Sequence, residues 1–343
     1  MYIGATGGPE KAAVKKFIAD NSLHHMKFEE IAAGKLRRYF SFQNFVDAFK
    51  VPVGIVQAMR LIRRFDPEVV FSKGGFVTVP VVIGAGIVNF GRRGRKKKIP
   101  IIVHESDLVP GLANKISARF ASRILLSFEK SRDYFVEKKG RGGNGRKVEV
   151  LGNPIREDLM KGEADKGRKI CGFHKFKPIV LVMGGSLGAA QVNHLVWDNL
   201  GPLLKKYQIV HITGKGHLKF GADKEGYKQF ELLFEELKHV YAASSLVVTR
   251  GGANALAEVA ALEKSAVIIP LGTASSRGDQ IVNAKFCAEE YGWQNLVGEV
   301  SGERFLHAID IAVGTPFAGE DVLHKRASKA IFELLFNLTK MDK

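Results

Sequence analysis

The chemistry most visible in this chain sits where apolar runs break into glycine turns. Thr249–Asn283 reads TRGGANALAEVAAL, KSAVIIP and LGTASSRGDQIVNA. The apolar run Ser245–Val248 feeds the turn Gly251-Gly252, and a helix follows with Glu258 on its second turn. Backbone amides at a helix start favour negative charge. A carboxylate one turn further suits the two hydroxyls of a ribose. A second strand, Ala266–Pro270, ends in a polar loop, and Asp279, Gln280 and Asn283 open the next helix. Phosphate at one helix start and sugar hydroxyls at another make a pocket for a nucleotide-sugar. One glycine pair fits an ordinary βαβ turn equally well; the two loops together favour the pocket.

Met183–Asn193 (MGGSLGAAQVN) repeats the strand–glycine turn–helix form. It is GGSxGA rather than the dinucleotide fingerprint GxGxxG. Gly185 lets backbone approach a phosphate, the Ser186 hydroxyl adds a hydrogen bond, and Gly188 and Ala189 remove bulk. Lys73–Phe76 (KGGF) is a third such turn, weak when taken alone. His104-Glu105-Ser106-Asp107 ends another buried strand. A histidine beside a carboxylate suits acid–base work, and a hydrogen-bonded structural histidine fits the position as well. His211, inside an apolar run, reads as core, and His217 as a loop residue. No His, Cys, Asp or Glu set has metal-ligand spacing, so no metal site is expected.

These turns need parallel strands to hold them, and the chain supplies two series of strand–turn–helix units meeting near Gly152–Arg156. In the first, Tyr2–Gly4 is a strand end and helices are predicted over Pro9–Ile18, Val51–Phe65 and Val77–Val88. Gly34–Phe49 reads as a loop and short helix. Strands are predicted at Glu68–Phe71, Ile99–Val103, Arg123–Ser127 and Val148–Leu151, with Phe128–Lys139 helical. In the second, strands are expected at Pro178–Met183, Gln208–Thr213 and Val297–Val300 besides those above, Lys219–Phe230 is partly loop, and Glu303–Val313 and Asp321–Phe336 are helices. Such alternation implies an α/β fold of two Rossmann-like domains, parallel sheets covered on both faces, with ligands at the carboxyl ends of the strands facing a central cleft. The domains are placed at 1–153 and 154–320, with 321–343 a helix returning to the first.

Composition bounds the partners. At 343 residues and 45% hydrophobic, the chain supports two packed cores. Two cysteines, Cys171 and Cys287, make no disulfide framework and suit a reducing compartment. Lys plus Arg is 52 against 35 acidic residues, a net charge of +17, so partners should be anionic. No nucleic-acid motif accompanies that charge. The longest apolar run, Val77–Phe90, is broken by Pro80, Gly84 and Gly86 and falls short of the roughly 20 residues of a membrane span. The basic run Arg92–Lys98 (RRGRKKK) follows it. That pairing suits peripheral attachment to an anionic leaflet, and a core helix with a solvated loop suits it equally.

Taken together, the segments GKLRRYF, FDPEVVFSKGGFVTVPVVI, IPIIVHESDLVPGLANKIS, VLGNPIRE, LVMGGSLGAAQVN, TRGGANALAE and SSRGDQIVNA resemble, in order and over most of the chain, the bacterial peptidoglycan N-acetylglucosaminyltransferase family MurG. That is a GT-B fold of glycosyltransferase family 28. The resemblance implies inverting transfer of N-acetylglucosamine from UDP-GlcNAc to undecaprenyl-diphospho-muramoyl-pentapeptide, without cofactor. It implies that Glu258 holds the uridine ribose, that Asn254 and Ala255 lie near the diphosphate, and that Phe234 lies by the uracil. Gly185, Ser186 and Arg156 would contact the donor, and Asp279, Gln280 and Asn283 the sugar. His104, Glu105, Asp107, Asn114 and the Gly74-Gly75-Phe76 turn would belong to the acceptor side. Anionic inner-leaflet lipids would meet Val77–Phe90 and Arg92–Lys98 at the cytoplasmic face of the cell membrane, with cell-wall synthesis proteins as further partners.

One departure bears on catalysis. The family pattern carries a strand–GGxxGH loop–helix unit, about 30 residues, ahead of the strand matching Tyr2–Gly4. The segment Ala5–Pro9 (ATGGP) has no histidine and is not a substitute. The general base is therefore not assigned, His104 and Glu105 being weak candidates. The expectation carries two alternatives: a catalytically impaired UDP-sugar-binding or membrane-associated protein, and another GT-B enzyme such as a UDP-GlcNAc 2-epimerase or a glycolipid glycosyltransferase.

Overall fold

Short β-branched strands alternate with helices in a computed structural model that describes residues 1–8, 10–34, 42–92, 97–135, 147–174, 177–221, 224–272, 278–319 and 322–340. Most of the basic stretch Arg92–Lys98 and most of the polar loop before Asp279 lie outside these residues, as do GKLRRYF beyond Gly34 and the turn GRGGNGR. The chain divides into two units. One comprises Met1–Ser106, Pro110–Val150 and Phe332–Lys343; the other comprises Asp107–Val109 and Leu151–Ile331.

The first unit runs β1 (Tyr2–Ala5), α1 (Glu10–Asp20), β2 (Phe28–Ile31), α2 (Phe42–Phe65), β3 (Val70–Ser72), α3 (Thr78–Gly91), β4 (Ile101–Glu105), α4 (Leu112–Ser117), β5 (Arg123–Leu126) and β6 (Lys147–Val150). β1 and β2 form a parallel pair, and β3-β4-β5-β6 a parallel four-stranded sheet. Its core packs Ile62, Val82, Ala85 and Val88 from the helices against Ile101, Val103, Ile124 and Leu126. Each valine, isoleucine or leucine among them contributes about 1.5–3 kcal/mol when fully buried. One element was not anticipated and two expectations change here. Phe28–Ile31 is a strand although its charged FEEI pattern gave no strand signal. The helix expected from Val51 begins at Phe42, with Pro52 inside it. The segment expected to be helical from Phe128 is a 3₁₀ turn at Glu129–Tyr134.

The second unit runs α5 (Ala164–Cys171), β7 (Ile179–Met183), α6 (Ala190–Asp198), α7 (Leu200–Lys206), β8 (Gln208–Ile212), β9 (Tyr227–Phe230), α8 (Leu237–Ala243), β10 (Leu246–Thr249), α9 (Ala253–Ala261), β11 (Ser265–Ile268), α10 (Asp279–Tyr291), β12 (Gln294–Asn295), α11 (Gly302–Gly314) and α12 (Val322–Lys340), the last divided between the units. All neighbours in the sheet are parallel, in the order β12-β11-β10-β7-β8-β9. Pleating sends alternate residues to opposite faces. Val180 and Val182 join Val192, Val196 and Phe305 on one face, while Ile179 and Leu181 join Val240, Tyr241 and Leu256 on the other. Burial on both faces is why β7 reads as an unbroken apolar run. β9 occupies the end of the segment expected to be partly loop, and the strand expected at Val297–Val300 lies earlier, at Gln294–Asn295.

Candidate functional site

In the second sheet the chain goes from β7 outward to β8 and β9, then returns to lay β10 on the other side of β7. The order reverses between β7 and β10, and crevices at such switch points, beyond the carboxyl ends of the strands, are where parallel sheets take ligands. Two of the three glycine turns singled out in the sequence leave from these two strands. Gly184–Ala189 joins β7 to α6, and Arg250–Gly252 joins β10 to α9.

The first turn is held close to its neighbour. Gly188 has φ +75°, and a Cβ there would lie 2.4 Å from the Thr213 carbonyl oxygen. Gly185 has φ +93°, leaving Ser186 and Leu187 exposed. Behind the turn, Asn193 of α6 donates from Nδ2 to the Thr213 carbonyl at 2.9 Å and meets His211 Nε2 through Oδ1 at 3.0 Å. His211, fully buried as its apolar surroundings suggested, also meets the Tyr227 hydroxyl at 2.9 Å. Trp197 Nε1 donates to that hydroxyl at 3.0 Å.

In α9, Ala253, Leu256, Ala257 and Ala260 face the core, while Asn254, Ala255 and Glu258 fall on the more open side. The Asn254 Oδ1 accepts from Asn153 Nδ2 at 2.9 Å. Burial raises the Glu258 carboxyl above the usual range, opposed by a hydrogen bond from the Tyr241 hydroxyl at 3.2 Å and by the charge of Arg156. Arg156 donates from Nη2 to the Phe234 carbonyl at 3.2 Å, and Phe234 itself is 62% exposed. Two residues assigned to the donor by resemblance, 78 positions apart in sequence, thus stand together. Arg250, at the end of β10, is half-buried with Nε lacking a partner among the described residues, and burial lowers its pKa.

At the start of α10, Gln280 Oε1 accepts from the Leu271 N–H at 3.0 Å. Asn283 is buried; its Nδ2 donates to the Gly251 carbonyl (3.2 Å) and to Asp107 Oδ1 (3.0 Å), and its Oδ1 accepts from the Leu108 N–H (3.0 Å). Asn283 therefore braces the Gly251 turn. Asp107, assigned by resemblance to the acceptor side, groups with the second unit. Asp279 lies in the first turn of α10, after Gly278 at φ +78°.

In the first unit the KGGF turn follows β3. Gly74 and Gly75 have φ +97° and +92°, and a Cβ on Gly74 would lie 3.0 Å from the Asn114 amide. Asn114 donates to the His104 carbonyl (3.1 Å) and to Glu105 Oε2 (2.8 Å), and its buried Oδ1 has no partner among the described residues. Phe76 is partly exposed beyond the turn. Lys73 Nζ donates to Ser106 Oγ at 2.6 Å and lies 3.3 Å from His104 Nδ1. His104 and Glu105 are both buried. His104, Glu105 and Ser106, with Lys73 and Asn114, thus build a scaffold under the glycine turn. Lys73 belongs to the KGGF turn read from the sequence, whereas Asn193, Tyr241 and Arg250 were not named individually there. Arg250 precedes a glycine pair and Asn193 closes the Met183–Asn193 motif, which are legible signals; Tyr241 sits in a helix with no local motif.

At the opposite, amino-terminal ends of β4, β5 and β6, a cleft of about 840 Å³ is lined by Phe90, Lys98, Arg119, Phe120, Lys147 and Leu338, among others. α3 buries Pro80, Val82, Ala85 and Val88 and leaves Phe90 74% exposed. Among the described residues no helix is long and apolar enough to cross a membrane, and no group of three or more His, Cys, Asp or Glu is placed to hold a metal.

Two parallel α/β units with glycine turns at the strand ends define a protein of the GT-B glycosyltransferase type. Residues 10–126 match the N-terminal domain model of glycosyltransferase family 28, and residues 179–310 its C-terminal domain model. The chain belongs to glycosyltransferase family 28. It is 47% identical over 83% of its length to a Clostridium tetani UDP-N-acetylglucosamine--N-acetylmuramyl-(pentapeptide) pyrophosphoryl-undecaprenol N-acetylglucosamine transferase, covering 73% of that protein. A Bacillus cereus protein of the same name, numbered 2, is 43% identical over 87% of the chain and 78% of its own length. Among solved structures, Acinetobacter baumannii MurG matches with TM-score 0.61 at 20% identity, over 98% of this chain and 90% of that one. A Methanocaldococcus jannaschii UDP-GlcNAc 2-epimerase, in complex with UDP-GlcNAc and UDP, matches with TM-score 0.59 at 13% identity, over 94% and 88%. At these identities the structural matches speak to the fold.

Proposed function

We propose that this chain transfers N-acetylglucosamine from UDP-GlcNAc to the muramyl C4 hydroxyl of undecaprenyl-diphospho-muramoyl-pentapeptide, with inversion, in peptidoglycan synthesis. The observation that carries the reading is the switch point between β7 and β10, where two glycine turns open into helix starts with Glu258 one turn beyond. The names of the C. tetani and B. cereus relatives support the same reaction. The second unit is the donor half. The amides near Ser186 and Gly252–Asn254, with Arg250, hold the UDP diphosphate and stabilise its charge as it leaves, an arrangement that needs no metal. Glu258 takes the ribose diol, Phe234 and Arg156 flank the base side, and Gln280 faces the sugar. The first unit is the acceptor half, with the Gly74-Gly75 turn on its buried Asn114, His104 and Glu105 scaffold. Phe90, Lys98, Arg119 and Lys147 attach this unit peripherally to anionic lipids of the cytoplasmic leaflet where the acceptor resides.

Calorimetry with UDP-GlcNAc, paired with transfer to a lipid-linked acceptor, tests the reading. The Glu258→Gln variant should weaken donor binding about 10- to 100-fold, as expected when a charged hydrogen bond worth about 1.5–3 kcal/mol is lost. Unchanged donor affinity in that variant would remove Glu258 from the site.

A further inference from the structure

We propose that Tyr241 is a positioning residue for the transfer reaction: its phenol holds Glu258 Oε2, so that Oε1 is presented to the donor ribose. The inference rests on the donor reading of Glu258 above. Tyr241 lies on α8 and is fully buried. Its hydroxyl stands 3.2 Å from Glu258 Oε2 and 3.2 Å from Met183 Sδ. One O–H proton serves one acceptor. The carboxylate is far the stronger of the two, a thioether sulfur being a weak acceptor. Met183 is the last residue of β7, directly before the Gly184 turn, and Glu258 belongs to α9, directly after the Gly251 turn. The phenol therefore sits at the root of both turns and touches one element from each.

The charge around Glu258 gives this contact a consequence beyond packing. The titratable and charged groups acting on Glu258 are Tyr241, Arg156 and Asp158. Burial and Asp158 favour the neutral acid; Tyr241 and Arg156 favour the carboxylate. Burial, with the charge of Glu258, raises the Tyr241 hydroxyl well above its ordinary pKa, so it remains a donor throughout the working pH range. Removing the phenol oxygen leaves Glu258 free to rotate and easier to protonate. A protonated or misaimed carboxyl is a poorer acceptor for two ribose hydroxyls.

The test is donor KM and kcat for wild type, Tyr241→Phe, Glu258→Gln and the double variant, from pH 6 to pH 8.5. UDP-GlcNAc is compared with its 2′-deoxyribose analogue. Tyr241→Phe should raise donor KM about 5- to 10-fold, the size of one net hydrogen bond, and leave kcat within about threefold. The rise should be larger at pH 6 than at pH 8.5, and discrimination against the deoxy donor should shrink. In the Glu258→Gln background the same change should do little, the pair being coupled. Circular dichroism checks the fold, and 3-fluorotyrosine at position 241, which keeps the donor, should restore donor KM. A pH-independent KM change, full additivity with Glu258→Gln, or undiminished deoxy discrimination in Tyr241→Phe would overturn the positioning role. Lack of deoxy discrimination in the wild type would instead overturn the ribose role of Glu258, and this proposal with it.

Discussion

Replacing His211 tests whether the hydrogen-bond chain behind the Gly184–Ala189 turn is polarised as its geometry requires. Asn193 spends Nδ2 on the Thr213 carbonyl, so its Oδ1 faces His211 and can only accept. His211 Nε2 therefore carries the proton, and Nδ1 accepts from Tyr227. The Tyr227 oxygen accepts in turn from the Trp197 indole, a group that only donates. A second proton on His211 would point at the Tyr227 O–H, and burial pushes the imidazole down to about 3. The unfolded chain binds that proton near pH 6.5, the folded chain only near pH 3. Stability is therefore full above the unfolded pKa and falls as pH drops from about 6.5 toward 3. At pH 5 the loss is about 1.5 pH units at 1.36 kcal/mol each, or ~2 kcal/mol. His211→Leu cannot titrate. It should be less stable than wild type at pH 7.5, because Asn193 and Tyr227 lose partners at about 1–3 kcal/mol each. Between pH 7.5 and pH 5 it should then lose ~2 kcal/mol less than wild type does. The chain's two tryptophans, Trp197 and Trp293, both lie in the second unit, so urea unfolding followed by tryptophan fluorescence reads this unit. Parallel pH dependence in the two proteins would refute both the neutral His211 and the polarity of the chain.

Two further outcomes are expected. Gly188→Ala combines a left-handed backbone with a Cβ 2.4 Å from the Thr213 oxygen. It should cost about 2 kcal/mol or more and raise donor KM, read from thermal unfolding and from saturation with UDP-GlcNAc; wild-type values for both would show that the turn relaxes freely. Cys171 and Cys287 are buried, and burial pushes the Cys171 thiol up to about 11. The native chain should resist a thiol reagent at pH 8 for as long as it stays folded, whereas denaturant should expose both thiols; rapid native labelling would contradict this packing.

Local patterns in the sequence carried much of the fold. Where an apolar strand meets glycines and then a helix, as at Met183–Asn193 and Thr249–Ala261, strand, turn and helix form where the pattern predicts them. The pattern failed where it lacked a buried face. β2, with the charged FEEI, and β9, with YKQF, are strands because a neighbouring edge pairs with them. α2 continues upstream of Pro52 although its sequence suggests a helix start there.

The site divides along the same line. The sequence by itself determined the glycine turns at the strand ends, because glycine freedom and helix-start amides are local properties, and it marked Glu258 by its distance from Gly252. The position of those turns at the β7–β10 reversal belongs to tertiary structure, because strand order depends on packing between distant segments. The same is true of the supports. Arg156 meets the Phe234 backbone, Asn283 braces Gly251, Lys73 meets His104 and Ser106, and Tyr241 holds Glu258. None of these pairs shares a local spacing, since each joins different elements. Only the folded chain, having buried its apolar faces, brings their polar atoms within hydrogen-bond reach.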